Sequence, residues 1–140
     1  MGRHTIDLGD PGLVAFWAER HLCSLTTLRA DGTPHVVAVG ATLDPEAGLA
    51  RVITSGESWK ARHVAAAGPQ GAPVAICQVD GRRWATVEGL AVVRAEPEAV
   101  AEAERRYAER YRVPRPNPRR VVIEVRVTRV IGSMTLVTDS

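Results

Sequence analysis

The sequence predicts a mainly β domain whose strands close into a barrel or split barrel, with a few helices set against it. Three observations carry this. Two Asp-Gly pairs, Asp31-Gly32 and Asp80-Gly81, each sit between apolar, β-branched runs, the pattern of a hairpin. The run over residues 120–130 alternates strictly, with Val121, Ile123, Val125 and Val127 opposed to Glu124, Arg126 and Thr128. Only three segments show helical spacing, too few for the crossovers of a doubly wound sheet, and no Gly-x-Gly-x-x-Gly follows a strand. Six or seven mostly antiparallel strands in 140 residues favour a barrel, which removes exposed edges, over an open sandwich.

Along the chain, residues 1–10 read as a loose leader to a single domain spanning 1–140. Pro11 suits a first helical turn, and Leu13, Val14, Phe16, Trp17 and His21 fall near one helical face, so this helix is expected to cap the sheet. Residues 23–29 and 35–43 form the first hairpin, with Asp31-Gly32 read as a type I′ turn. The second of these strands is apolar on both faces and therefore requires cover twice, from a barrel interior and from a helix or partner subunit. A turn over 44–48 leads to a third strand, 49–54. A short helix over about 58–67 then ends at Gly68-Pro69. Strands 73–79 and 83–94 flank Asp80-Gly81, with Gly89 expected as a bulge. Pro97 opens a helix with Val100, Ala103, Tyr107 and Tyr111 on one face and a Glu102–Arg106 pair on the other. The proline-rich stretch 112–118 must be extended, and Gly132 marks the end of the last long strand, after which a short final strand is expected.

Apolar content of 45% and a net charge of +2 give no global field for nucleic acid or membrane. Six aromatic residues are too few for a stacking platform on single-stranded nucleic acid. Cys23 and Cys77 lie in apolar β runs without Cys-x-x-Cys spacing, so buried, reduced thiols are expected, as in a soluble cytoplasmic protein. The four histidines are scattered, which argues against a metal site. Hydrolase motifs and the P-loop are absent, and no nucleophile–base pair is evident, so an enzyme of this sequence would rely on a bound cofactor.

One residue stands apart. Lys60 is the only lysine among 18 basic side chains. It follows a strand that breaks at Gly56 and opens into a helix, with Arg51, Thr54, Ser55 and Ser58 around it. Helix N–H groups, hydroxyls and a compact cation suit a phosphate or carboxylate. Two further clusters fit a cofactor. Gln78, Asp80, Arg82, Arg83 and Trp84 flank the second turn, where Trp84 either borders a planar ring or plugs the core. Arg112, Arg115, Arg119 and Arg120 line a proline-stiffened loop able to grip carboxylates.

The run Leu25-Thr26-Thr27-Leu28-Arg29-Ala30-Asp31-Gly32-Thr33-Pro34-His35-Val36-Val37-Ala38-Val39, then Arg51-Val52-Ile53-Thr54 with Ser58-x-Lys60, and the closing Arg110-Tyr111-Arg112-x-Pro114-Arg115-Pro116-Asn117-Pro118-Arg119-Arg120, resemble the split β-barrel flavin and deazaflavin oxidoreductases. That group includes pyridoxamine-phosphate-oxidase-like proteins, and the closing segment is similar to its branch using coenzyme F420. The resemblance implies a homodimer with cofactor at the subunit interface, and hydride transfer from reduced F420 to a conjugated acceptor, with biliverdin to bilirubin the implied reaction. It assigns cofactor contacts to Pro34, His35, Val36, Val37, Arg51, Val52, Ile53, Thr54, Ser58, Lys60, Ala61, Gln78, Val79 and Trp84. Arg112, Arg115 and Arg119 would meet the cofactor's tail or substrate carboxylates. It assigns no catalytic side chain and no metal. An FMN-dependent oxidase or reductase of the same fold, or a carrier of F420 or a tetrapyrrole without turnover, remains open. Trp59 and the Gly/Pro-rich loop 65–73 depart from the pattern and bear on substrate shape.

Overall fold

The computed structural model describes residues 3–136. Eight strands and three helices follow in the order β1 (Arg3–Thr5), α1 (Pro11–Ala18), β2 (Cys23–Leu28), β3 (Pro34–Val39), β4 (Ala41–Asp44), β5 (Leu49–Ser55), α2 (Trp59–Ala66), β6 (Ala72–Asp80), β7 (Arg83–Arg94), α3 (Pro97–Arg110) and β8 (Arg120–Ser133), with a 3₁₀ turn at Met134–Leu136. Every strand pairing is antiparallel. The sheet runs β3-β2-β6-β7-β8-β5-β4, with β1 on β8. Its two ends, β3 and β4, are consecutive in the chain and meet at Gly40, so the sheet curls back on itself as a split barrel.

The core is built from one face of each strand. Leu25, Val52, Ile76, Val87, Ile123 and Val125 are almost wholly buried, and Leu13, Phe16 and Trp17 of α1 pack into the same cluster. Helix α1 starts where expected because Asp10 Oδ2 accepts from Gly12 N and Leu13 N (2.9 and 3.1 Å) beside Pro11. Its buried face is narrower than the sequence suggests: Val14 points outward, and His21 lies beyond the helix end.

Several expectations need correction. The leader is not loose throughout: Arg3–Thr5 pairs with Ile131–Ser133, and Ile6 enters the core. Residues 35–43 are not one strand. They divide at Gly40, where an added Cβ would sit 2.8 Å from the Tyr107 ring, so the missing side chain lets the tyrosines of the third helix close on this bend. The first hairpin does not turn as type I′. Gly32 alone has positive φ (85°), and Gly32 N bonds to Arg29 O at 2.8 Å, a type I turn closed by a left-handed glycine. Cys77 is only partly buried, although both thiols are free. Strand β8 continues through Gly132 to Ser133 and is followed by a 3₁₀ turn at Met134–Leu136, and a short final strand beyond that turn would lie outside the described residues. The bulge at Gly89 forms as predicted: the β7–β8 register shifts between Glu88 and Gly89.

Candidate functional site: a cationic cleft at the barrel seam

Strand β5 ends at Ser55, and the chain turns through Gly56 and Glu57 into α2. Ser58 caps that helix, its Oγ accepting from Ala61 N (3.3 Å) and from the Thr54 hydroxyl (3.0 Å). The cap fixes Lys60 in the first turn beside the strand end. Opposite, the extended segment after α3 is held at its far end. Arg120 donates to Glu104 Oε2 and to Arg115 O (both 2.7 Å), Arg119 N donates to Asn117 Oδ1 (2.9 Å), and Gly56 N donates to Arg119 O (2.9 Å).

Between these walls lies a solvent-open cleft of about 310 Å³. It is lined by Ala38, Val39 and Gly40 at the barrel seam, Ile53, Thr54, Ser55 and Lys60 on one side, and Tyr107, Arg112, Pro114, Arg115, Asn117 and Arg120 on the other. Among the described residues Lys60, Arg112 and Arg115 have no carboxylate partner, whereas Arg120 is neutralised by Glu104. Burial alone pushes the Lys60 ammonium below the ordinary lysine value of 10.5. Three uncompensated cations lining one cleft form a donor set for phosphate and carboxylate oxygens, with Ser55 beside them.

The predicted site residues divide on this geometry. Ile53, Thr54, Lys60, Arg112 and Arg115 line the cleft, and Ser58 and Ala61 form the cap behind it. Arg51 does not: its guanidinium is engaged by Asp44 at 3.0 Å, and Asp44 also meets Arg106 at 3.1 Å. Val52 belongs to the core. Arg119 turns outward to Glu57, so Arg120 takes the place on the cleft. Gln78 is fully buried, and its amide is used within the fold, donating to Phe16 O at 2.9 Å and accepting from Arg110. Pro34, His35, Val36 and Val37 lie on the edge strand leading to the cleft. Val79 and Trp84 face each other across β6–β7, outside it. Trp59 is exposed beneath Arg62 and does not narrow the cleft, and loop 65–73 lies away from it. Ser55, expected beside Lys60, lines the cleft as well, whereas Ala38, Val39, Gly40, Tyr107 and Asn117 line it without having been singled out from the sequence. Asn117 carried the one available signal, an amide beside arginines in a proline-fixed loop.

A family model for pyridoxamine 5'-phosphate oxidase matches residues 10–133. The chain belongs to the pyridoxamine 5'-phosphate oxidase family. The match spans the barrel from the cap of α1 to the end of β8, and so includes both walls of the cleft. Among its relatives is the F420H(2)-dependent biliverdin reductase of Mycobacterium tuberculosis (strain CDC 1551 / Oshkosh), 56% identical over 136 residues, 97% of this chain and 96% of that protein. A solved F420 reductase shares the family fold at 26% identity with a TM-score of 0.64, over 83% of this chain and 93% of that one. A conserved hypothetical protein from Mycobacterium tuberculosis aligns at a TM-score of 0.71 and 24% identity, over 86% and 81% of the two chains.

Proposed function

We propose that this chain transfers a hydride from reduced coenzyme F420 to biliverdin, giving bilirubin. The cleft carries the reading: it gathers Lys60, Arg112 and Arg115, which have no carboxylate partner among the described residues, around a space that Thr54 and Ser55 also line. Coenzyme F420 is a 5-deazaflavin with a phosphate and an oligoglutamate tail, and in its reduced form it supplies a hydride and not single electrons. The residues fit such a group. Lys60 and Ser55 would hold the phosphate, with Thr54 fixing the Ser58 cap behind them, and Arg112 and Arg115 would take the tail carboxylates, which FMN lacks. The 56% identity to an F420H(2)-dependent biliverdin reductase supports the same cofactor and acceptor.

The protein's contribution is binding, orientation and charge. No carboxylic acid and no histidine lines the cleft. Solvent, which reaches this open site, is the proposed source of the proton that accompanies the hydride. No described helix is long and apolar enough to cross a membrane, and the site of action proposed is the cytoplasm.

A homodimer completes the reading. Leu28, Val36 and Val79 are large apolar side chains left exposed on the adjoining strands β2, β3 and β6, which a second copy would cover. The outward positions of Val36 and Val79, both drawn into the site by the family resemblance, agree with a cofactor lying between two copies. Sedimentation velocity tests this: a two-chain mass is expected, and a monomer would remove the interface from the account. Anaerobic mixing of protein, reduced F420 and biliverdin tests the reaction, with cofactor oxidation matched by bilirubin formation expected. Oxidation without bilirubin would reject biliverdin as the acceptor.

A further inference from the structure

Arg110 and Tyr111, the two residues that join α3 to the basic loop, lie outside the cleft and yet make an unusual set of bonds. The Arg110 guanidinium donates from Nε and Nη2 to Glu19 O (2.9 and 2.8 Å), from Nη1 to Ala41 O, and from Nη2 to Gln78 Oε1. It also approaches Cys23 Sγ at 3.9 Å and stacks over Trp17 and Tyr111. No carboxylate neutralises it among the described residues. One side chain thus ties the end of α3 to the segment after α1 and to β2, β4 and β6. The adjacent Tyr111 hydroxyl donates to His21 O (2.6 Å) and accepts from Ala41 N (3.2 Å). Burial pushes this phenol up to about 12, so it remains a donor at neutral pH.

Both residues therefore converge on Ala41, the residue after the Gly40 bend, where β3 becomes β4. Gly40 lines one wall of the cleft, and Arg112, the first cationic residue of the other wall, is the next residue in the chain. The rings of Tyr107 and Tyr111 fill the space above Gly40. We infer that Arg110 and Tyr111 form a lock setting the origin of the basic loop against the barrel seam, so that Arg112 and Arg115 face Lys60 across the cleft. They are positioning residues, and the inference rests on the reading of the cleft as the F420 site. The planar guanidinium meets this set with three separate nitrogens, Nε and Nη2 on Glu19 O, Nη1 on Ala41 O and Nη2 on Gln78 Oε1, a fork that the single nitrogen of a lysine does not reproduce. Gln78, a fully buried polar side chain near the end of β6, has both ends of its amide used, donating to Phe16 O and accepting from the lock.

The experiment is a fluorescence titration with F420 of wild type, Arg110→Lys, Tyr111→Phe, Arg115→Ala, and Arg115→Ala combined with each of the first two. Melting temperatures establish that each variant is folded. Each single substitution should weaken binding about tenfold, and Arg115→Ala added to either lock variant should cost less than about threefold more, because a displaced loop no longer presents Arg115. A merely structural role would lower the melting temperature while leaving the effect of Arg115→Ala undiminished, and additive losses of that kind overturn the lock. Unchanged affinity in both lock variants, with Arg115→Ala still weakened, also overturns it and leaves the cofactor reading standing. An unaffected Arg115→Ala in the wild-type background would overturn the cofactor reading and the lock with it. Should Arg110→Lys fail to fold, Tyr111→Phe, which removes one hydroxyl, decides the question.

Discussion

Lys60 is held by a single turn of helix, and its charge is not balanced by any described carboxylate. Replacing it with alanine should weaken F420 binding at least tenfold, about 1.4 kcal/mol, without moving the melting temperature, as read by cofactor fluorescence and calorimetry. The direction of its titration gives a second expectation. Burial favours the neutral amine, so the unliganded ammonium loses its proton below the ordinary lysine value of 10.5. F420 affinity should therefore fall as pH rises through that lowered range, and the fall should vanish in Lys60→Ala. Lys60 was legible in the sequence because it is unique there and follows a strand-to-helix turn. Arg51 was not: the same stretch placed it beside the anion site, and only the fold shows that it serves Asp44.

At the scale of elements, the strands and turns were readable where glycine punctuates an alternating pattern, and less so where tertiary packing decides. Gly89 was identified as a bulge from its place within a strand run. The reason is steric: a Cβ there would lie 2.2 Å from Arg126 O, a backbone atom of the paired strand. Gly89→Ala should destabilise the barrel by roughly 2–3 kcal/mol, measured by chemical denaturation. Gly40 escaped notice because its requirement comes from Tyr107 and Tyr111, some seventy residues away, and no local signal marks it. The run 35–43 consequently looked like one strand with two apolar faces, although it supplies both edges of the sheet. Strand β1 was missed for a similar reason: three residues carry no periodicity, and their pairing depends on β8.

For the whole molecule, the two-sided apolar character of that run has two origins. Val39 and Ala41 face the core, while Val36 faces outward. The need for a second cover thus survives at β3, where it supports the proposed dimer. Charge also acts at this scale. Arg83, with His21, holds Glu19 at about 2, and Arg105 and Arg106 hold Glu102 at about 2. Burial would raise Asp44, but its bonds to Arg51 and Ala47 N and the nearby Arg106 outweigh that and lower it. Carboxyls depressed in the fold stabilise it above their unfolded values and lose that contribution as pH falls through the folded ones. The melting temperature should therefore be flat around neutrality and decline progressively below about pH 4, towards pH 2.

The cationic cleft, on this reading, selects a deazaflavin with an anionic tail. The most direct measurement is a pair of fluorescence titrations of the purified protein, one with F420 and one with FMN, repeated for Arg112→Ala and Arg115→Ala. Tight F420 binding, much weaker FMN binding, and a loss in both variants that falls on F420 and spares FMN are expected. Equal or tighter binding of FMN, with the arginine variants indifferent to which cofactor is offered, would contradict this reading.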